Sequence, residues 1–322
     1  MINKVVRICI ACALALALRA LYAQSYPTGP ITLVIPLAAG DATDIAARTI
    51  GAALERELKV PIVPLNRPGA GGALGTSVLA KSPKDGSTIG IPNNAALVFR
   101  AILEPQVASY DALRDLTPLA LAMRSPSILT VNAELPYKTF REMLDYERKN
   151  PGKVRIGTAG VGSVGDFCLR LINSLTGARL VMVPFTGAAP AVTAMRGGHI
   201  EGVILALGTM TPHLASGAVR GLLISTKWPE LRDIPTLAEL GYSQPLFDVW
   251  TGFFAPAGAP AEVTKVLVPA LAQAIRSPEV GEHLKPLGIV PDYAPPEKLV
   301  ADMRDEQGRV REIARKAGLI KQ

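Results

Sequence analysis

The sequence predicts an α/β fold built from two successive series of strands and helices. Short apolar or β-branched runs recur along the chain and alternate with segments of helical length. This alternation is typical of parallel strands joined by crossover helices. The 322 residues, of which 49% are hydrophobic, are enough to bury the cores of two ordinary domains.

The predicted elements follow one another in chain order. The first series comprises a strand at 31–36, a helix at 43–59, a strand at 61–65, a loop at 66–72, a helix at 75–81 and strands at 87–92 and 128–132. The second series comprises a strand at 154–158, a helix at 166–176, a strand at 179–185, a helix at 190–196 and a strand at 200–205. A strand at 249–254 and an amphipathic surface helix at 296–319 complete the prediction.

Two loops of similar composition predict a binding site. Residues 37–44 and 159–166 each follow a strand, contain glycine and small residues, and end in a polar residue at a helix start. Glycine lets a ligand approach the backbone, and the helix behind it offers free N–H groups to an anion. Strand ends of a parallel sheet gather ligands in one crevice. The predicted ligand-binding residues are Ala38, Ala39, Gly40, Asp41, Thr43, Asp44, Asn93, Gly160, Val161, Gly162, Ser163, Asp166, Thr186 and Gly187.

A simpler alternative remains open for the polar members of this set. Ser, Thr and Asp at a helix start cap the first turn without any ligand. Thr43 and Ser163 are therefore either donors to a ligand carboxylate or helix caps alone, and Asp44 is more simply explained as a cap.

Nothing in the sequence requires catalysis, a metal or a cofactor. Residues 160–165 match G-x-G-x-x-G, but the next strand ends at 183–187 without the acid that would bind a ribose. Residues 66–72 lack the lysine and hydroxyl of a phosphate-binding loop. The three histidines are scattered, and no triad or metal-ligand set is complete. No basic cluster stands beside aromatic residues, so we expect no nucleic-acid partner.

The amino terminus has the pattern of an export signal. A short basic region precedes the apolar run at 8–18, which is too short to span a bilayer, and Ala23 is the expected last residue before cleavage. A buried amino-terminal helix and lipid attachment at Cys12 are the alternatives. Removal of residues 1–23 leaves Cys168 as the single cysteine, so no intramolecular disulfide is expected. We therefore predict a soluble protein of the bacterial periplasm.

Four segments, at 36–44, 66–72, 183–187 and 250–258, resemble in sequence and order those of the Bug-type solute-binding proteins of tripartite tricarboxylate transporters. The resemblance covers essentially the whole chain after the signal. It implies a two-lobed periplasmic-binding-protein clamshell, type II-like, in which each lobe is a mostly parallel sheet flanked by helices. It also implies carboxylate ligands held by backbone amides and small polar side chains of facing loops.

The resemblance implies a domain division and a function. Lobe 1 would comprise 24–126 plus 251–322, and lobe 2 would comprise 127–250. The protein would be a monomer that captures a small carboxylate and delivers it to a large and a small membrane transporter subunit. The alternatives are an exported sensor or scavenger with the same fold, and an exported α/β enzyme.

Departures from the family pattern bear on the ligand. The family often has an aromatic residue at Leu37, glycine at Asp41 and histidine at Asp166, and it usually has Tyr-Lys at 185–186 and an acid near Leu205. Asp41 adds a negative charge where a carboxylate ligand would favour none. Either the ligand is less anionic, such as a monocarboxylate or an amino-bearing compound, or Asp41 points outward to solvent.

Overall fold

Two β-sheets, each flanked by helices, form two lobes in the computed structural model, which describes residues 26–104 and 109–320. Within these residues the first sheet has six strands in the order β11-β4-β10-β3-β1-β2, and the second has five in the order β7-β6-β8-β5-β9. The strands are β1 Ile31–Ile35, β2 Ile62–Asn66, β3 Thr88–Gly90, β4 Leu116–Ser125, β5 Ser127–Asn132, β6 Arg155–Thr158, β7 Val181–Pro184, β8 Gly202–Ala206, β9 Val219–Ile224, β10 Val249–Pro256 and β11 Val290–Ala294. The predicted export signal lies outside the described residues.

The helices cover the faces of both sheets. They are α1 Ala42–Leu58, α2 Ala73–Ala80, α3 Arg100–Leu103, α4 Ala112–Asp115, α5 Phe140–Lys149, α6 Val164–Thr176, α7 Ala188–Arg196, α8 Leu207–Ala215, α9 Ala261–Arg276, α10 Pro278–Leu284 and α11 Pro296–Lys316. The predicted amphipathic tail corresponds to α11, which buries Leu299, Met303 and Val310 on one face. No helix within the described ranges is both long enough and apolar enough to cross a membrane.

The α/β fold with two lobes is confirmed, but the sheets are mixed rather than mostly parallel. β1 runs parallel to β2 and β3, whereas β10 runs antiparallel to β3 and β4. Likewise β6 is parallel to β7 and β8, whereas β5 is antiparallel to β8 and β9. The reason is the route of the chain between the lobes. β5 follows β4 after Pro126 alone, so it enters the second sheet from the other lobe and not through a crossover helix.

Nine of these elements were not predicted from the sequence: β4, β9, β11, α3, α4, α5, α8, α9 and α10. β4 lies between β10 and β11 and is apolar at consecutive positions, so it lacks the alternation that marks a half-buried strand. α9 contains Pro269, a residue that argues against a helix interior.

Segments distant in sequence share the core of the first lobe. Leu33 and Ile50, from the amino-terminal part of the chain, lie in one apolar cluster with Phe253 and Leu267.

Cys168 is fully buried in a second cluster, where burial raises the pKa of its thiol to about 12. The thiol is therefore protonated at neutral pH, as expected of a packed apolar side chain and not of a nucleophile.

Candidate functional site

The carboxyl ends of β1, β2 and β3 face those of β6, β7 and β8 across a cleft between the lobes. The lobes touch at several points there. A Cβ built on Gly187, after β7, would lie 2.9 Å from the Cβ of Ala38, after β1. A Cβ built on Gly71, after β2, would lie 3.1 Å from the backbone N of Ser163. The glycines therefore let the facing loops approach closely.

Arg100 of the first lobe also bridges this cleft. Its Nη1 donates to the carbonyl oxygen of Val161 in the second lobe at 3.0 Å and to that of Ala70 at 3.2 Å. Its Nη2 lies 3.1 Å from a carboxylate oxygen of Glu104. Arg100 thus ties two loops that the sequence analysis treated separately.

The first loop is held by the acids at the start of α1. The Oδ1 of Asp41 accepts a hydrogen bond from the backbone N–H of Thr43 at 2.8 Å and caps the helix. The Oδ2 of Asp44 accepts from the N–H of Gly40 at 3.0 Å, while its Oδ1 pairs with the Nε of Arg48 at 2.9 Å. Gly40 adopts a positive φ of 81°, which glycine tolerates.

The second loop repeats this arrangement at the start of α6. The Oγ of Ser163 accepts from the N–H of Asp166 at 3.2 Å and caps the helix. The Oδ2 of Asp166 accepts from the N–H of Gly162 at 2.9 Å, and its Oδ1 pairs with the Nε of Arg170 at 2.8 Å. Asp44 and Asp166 therefore have the same structural role. Each binds a loop amide and is neutralised by an arginine one helical turn later.

A small cavity of about 30 Å³ lies between the two loops, at the point where the chain crosses between the lobes. That volume has room for about two water molecules. The cavity is lined by Leu37, Asp41, Asn93, Ser127, Ala159, Ser163, Val164, Gly165, Ile204, Leu205, Ala206 and Val249.

Of the predicted site residues, the structure brings Asp41, Asn93 and Ser163 to the cavity wall. It does not bring the others there. Some hold the loops, some meet across the cleft, and Thr43 lies fully buried in the first turn of α1. The predicted residues away from the cavity wall are Ala38, Ala39, Gly40, Thr43, Asp44, Gly160, Val161, Gly162, Asp166, Thr186 and Gly187.

Asp41 points into the protein and not to solvent. It is 6% exposed and carries the only charge among the described residues that line the cavity. Burial raises the pKa of its carboxyl to about 6, against the lowering effect of the hydrogen bonds from Thr43, and the nearby Asp44 adds to the rise. One of the two possibilities that the sequence left open, an outward-pointing Asp41, is therefore wrong.

Ser127 is the polar residue of the cavity that the sequence analysis missed. It is the first residue of β5, it is 1% exposed, and its backbone N–H donates to the Oγ of Ser225 at 2.8 Å. Its own hydroxyl makes no well-formed hydrogen bond with the described residues and lies near the buried thiol of Cys168. A buried hydroxyl without a partner costs free energy, so its place on a cavity wall indicates a donor for a ligand or water. The position of Ser127 at a crossing between the lobes is the sequence feature that could have pointed to it.

Other donors come from the second lobe and from Asn93. The Oγ of Ser163 accepts from the N–H of Asp166, and its hydroxyl proton donates to no other described residue. The N–H groups of Val164 and Gly165 belong to the first turn of α6, where a helix provides no acceptor of its own. The Oδ1 of Asn93 accepts from the N–H of Ala96 at 3.2 Å, which leaves the amide NH₂ to donate.

A larger cavity of about 380 Å³ lies between the start of β10 and α11. Its wall includes the carboxyls of Asp248 and Glu306, and burial raises the pKa of both. Trp250 Nε1 donates to Glu306 at 2.6 Å, and Ser225 donates to Asp248 at 2.5 Å. Arg124 and Arg309 also line this cavity, but none of the glycine loops reaches it.

Comparison with known proteins identifies the family. The model of the tripartite tricarboxylate transporter family receptor (TctC) matches residues 46–319. The chain belongs to this receptor family. The curated protein BugT of Bordetella pertussis is 31% identical over 302 residues, covering 92% of this chain and 91% of BugT. The Bug-type resemblance is thereby confirmed.

Solved structures of similar sequence share the whole fold. A structure from R. palustris with adipate has a TM-score of 0.86 and 30% identity, covering 91% of this chain and 98% of that one. MatC from Rhodopseudomonas palustris with bound malate has a TM-score of 0.84 and 29% identity, covering 89% and 99%. The receptor is a solute-binding protein of the two-lobed kind.

Proposed function

We propose that this receptor captures a small carboxylate in the cavity between its lobes, acts in the periplasm, and hands the ligand unchanged to the large and small membrane subunits of its transporter. The observation that carries the proposal is the cavity at the facing strand ends, where hydroxyl and backbone N–H donors converge without any arginine or lysine. The adipate and malate bound by the two R. palustris proteins support a carboxylate as the ligand.

Opening of the lobes is part of the proposal. A cavity of about 30 Å³ is smaller than any carboxylate of several carbons, so the lobes must separate before a ligand enters. In this proposal the lobes are 24–126 with 251–322 and 127–250, and the chain bends where it crosses between them. Contacts such as the one between Arg100 and Val161 would re-form around the ligand.

Several neutral donors are enough for the affinity such a receptor needs. A dissociation constant near 1 μM corresponds to about 8 kcal/mol. One helix terminus contributes only about 0.3–2 kcal/mol to binding a charge, so direct bonds from Ser127, Ser163 and the first turn of α6 would supply most of the rest. A site of this kind binds without chemical change, and we propose no catalytic step.

Replacement of Ser163 by alanine tests the assignment. We expect binding of the best carboxylate to weaken about 10–100-fold, because a hydrogen bond to a charged group is worth about 1.5–3 kcal/mol. Loss of the cap should also lower the free energy of unfolding by about 1 kcal/mol. Titration calorimetry and urea unfolding measure the two effects.

Thr139→Ala is the matched control for this experiment. The Oγ1 of Thr139 caps α5 in the same lobe by accepting from the N–H of Glu142 at 3.2 Å, far from the cavity lining. We expect similar loss of stability with unchanged affinity. If Ser163→Ala behaves in the same way as Thr139→Ala, Ser163 is a cap alone and the site assignment is wrong.

A further inference from the structure

The cavity has an acceptor on one side and donors on the other. Asp41 belongs to the first lobe, whereas Ser163, Val164 and Gly165 belong to the second. The Oδ1 of Asp41 accepts from the backbone N–H of Thr43, and the hydroxyl of Thr43 is a second donor beside this carboxyl. The carboxyl group of Asp41 thus lines the same small space as the donors of the second lobe.

A dicarboxylate would fit this arrangement poorly. One carboxylate would be satisfied by the donors of the second lobe, but the second would meet the like charge of Asp41 in a buried space, where repulsion is strong. The described cavity wall carries no cation to offset it. The arginines beside the loops, Arg48, Arg170 and Arg100, are paired with Asp44, Asp166 and Glu104.

We propose that Asp41 determines specificity by binding a protonated amine of the ligand, so that the receptor selects carboxylates that carry an ammonium group over dicarboxylates. The inference rests on the proposed function, because it assumes that the ligand carboxylate binds at Ser163 and the start of α6. The family often has glycine at this position, and a glycine could not make this contact with the ligand.

The pH dependence of binding separates the two ligand types. The pKa of Asp41 is raised by burial to about 6, so the carboxyl is mostly ionised at pH 7.5 and mostly neutral at pH 5. Affinity for an amino carboxylate should therefore fall as the pH falls through 6. Affinity for a dicarboxylate should rise over the same interval by more in the native sequence than in Asp41→Asn, because protonation of Asp41 removes the repulsion whereas protonation of the dicarboxylate affects both proteins alike.

The titratable groups around Asp41 are few. On its own helix Asp44 is paired with Arg48, and on α6 Asp166 is paired with Arg170. β1 and β2 carry none, and α8, which contacts α1, carries His213. The helix α9, which packs along α1, carries Glu262, Lys265 and Arg276. The pKa of His213 is lowered by its own burial and by Arg196, so it is mostly neutral at pH 7.5. Farther along α1, Arg56 pairs with Glu279 of α10.

The test is titration calorimetry at pH 7.5 and pH 5 with ligand pairs of equal chain length. The probes are 3-aminopropanoate against malonate, 4-aminobutanoate against succinate, and 6-aminohexanoate against adipate. At pH 7.5 the amino compound of the best-fitting length should bind at least tenfold more tightly than its dicarboxylate. Asp41→Asn should abolish this preference, and the matched control Asp145→Asn, an exposed acid of α5, should retain it.

Each outcome has a separate meaning. A dicarboxylate that binds more tightly than its amino partner, or a preference that Asp41→Asn leaves unchanged, overturns the role of Asp41 and leaves the proposed function intact. If no probe of either kind binds at either pH, the proposed function itself fails. Circular dichroism of Asp41→Asn shows whether the variant is folded, and asparagine is as good a helix cap as aspartate.

Discussion

Replacement of Gly165 by alanine should destabilise the protein by roughly 2–4 kcal/mol and abolish ligand binding. A Cβ at this position would lie 2.3 Å from the carbonyl oxygen of Ile204, the middle residue of β8. The obstructing atom belongs to the backbone of a central strand and cannot rotate away. The start of α6 would have to move outward, taking the capping Ser163 with it.

Gly308→Ala is the control for this effect. Gly308 lies on the exposed face of α11, and a Cβ built there would meet nothing within 4 Å. Alanine in a helix interior is favoured over glycine by about 1 kcal/mol, so this variant should be slightly stabilised and bind normally. Urea unfolding and titration calorimetry of both variants provide the comparison. Normal stability of Gly165→Ala would contradict the packing of α6 against β8.

Asp41→Asn should stabilise the protein at neutral pH. The native state holds the proton of Asp41 up to a pKa of about 6, whereas the ordinary value is 3.8. The folded state therefore binds more protons than the unfolded state in this interval, and stability from this group is lost as the pH rises from 4 through 6. Asparagine removes the penalty, and the gain at pH 7.5 should approach about 3 kcal/mol.

Urea unfolding at pH 4 and pH 7.5 measures this gain. The difference between Asp41→Asn and the native sequence should be large at pH 7.5 and small at pH 4. The exposed Asp145 provides the control, since Asp145→Asn should change stability little at either pH. A gain that is equal at both pH values, or larger at pH 4, would contradict a buried and costly Asp41. A carboxyl that lowers stability at a cavity wall is typical of a functional position.

The fold was largely predictable because its signals are local. β1, the glycine loop after it and α1 occur in one short stretch whose pattern is unambiguous, and β6 with α6 repeats it. The mixed direction of the sheets was not predictable, because it depends on β4 and β10 passing between lobes and pairing with strands distant in sequence. Neither pattern nor composition encodes such a pairing.

The site was predictable only in part, for a related reason. Loop composition pointed to Asp41 and Ser163, both of which line the cavity. The same composition included Asp44 and Asp166, whose side chains turn back to bind their own loops. For Ser127 the sequence offered only its position at a crossing between the lobes, because its importance comes from where β5 starts and not from its neighbours in the chain.

The central claim is that a carboxylate binds between the lobes at the start of α6. A crystal structure with the tightest-binding carboxylate of the calorimetric series tests it most directly. The account predicts ligand carboxylate oxygens within hydrogen-bond distance of the Oγ of Ser163 and of the hydroxyl of Ser127. A ligand bound instead in the larger cavity beside Glu306 and Asp248, with the space between the loops unchanged, would contradict it.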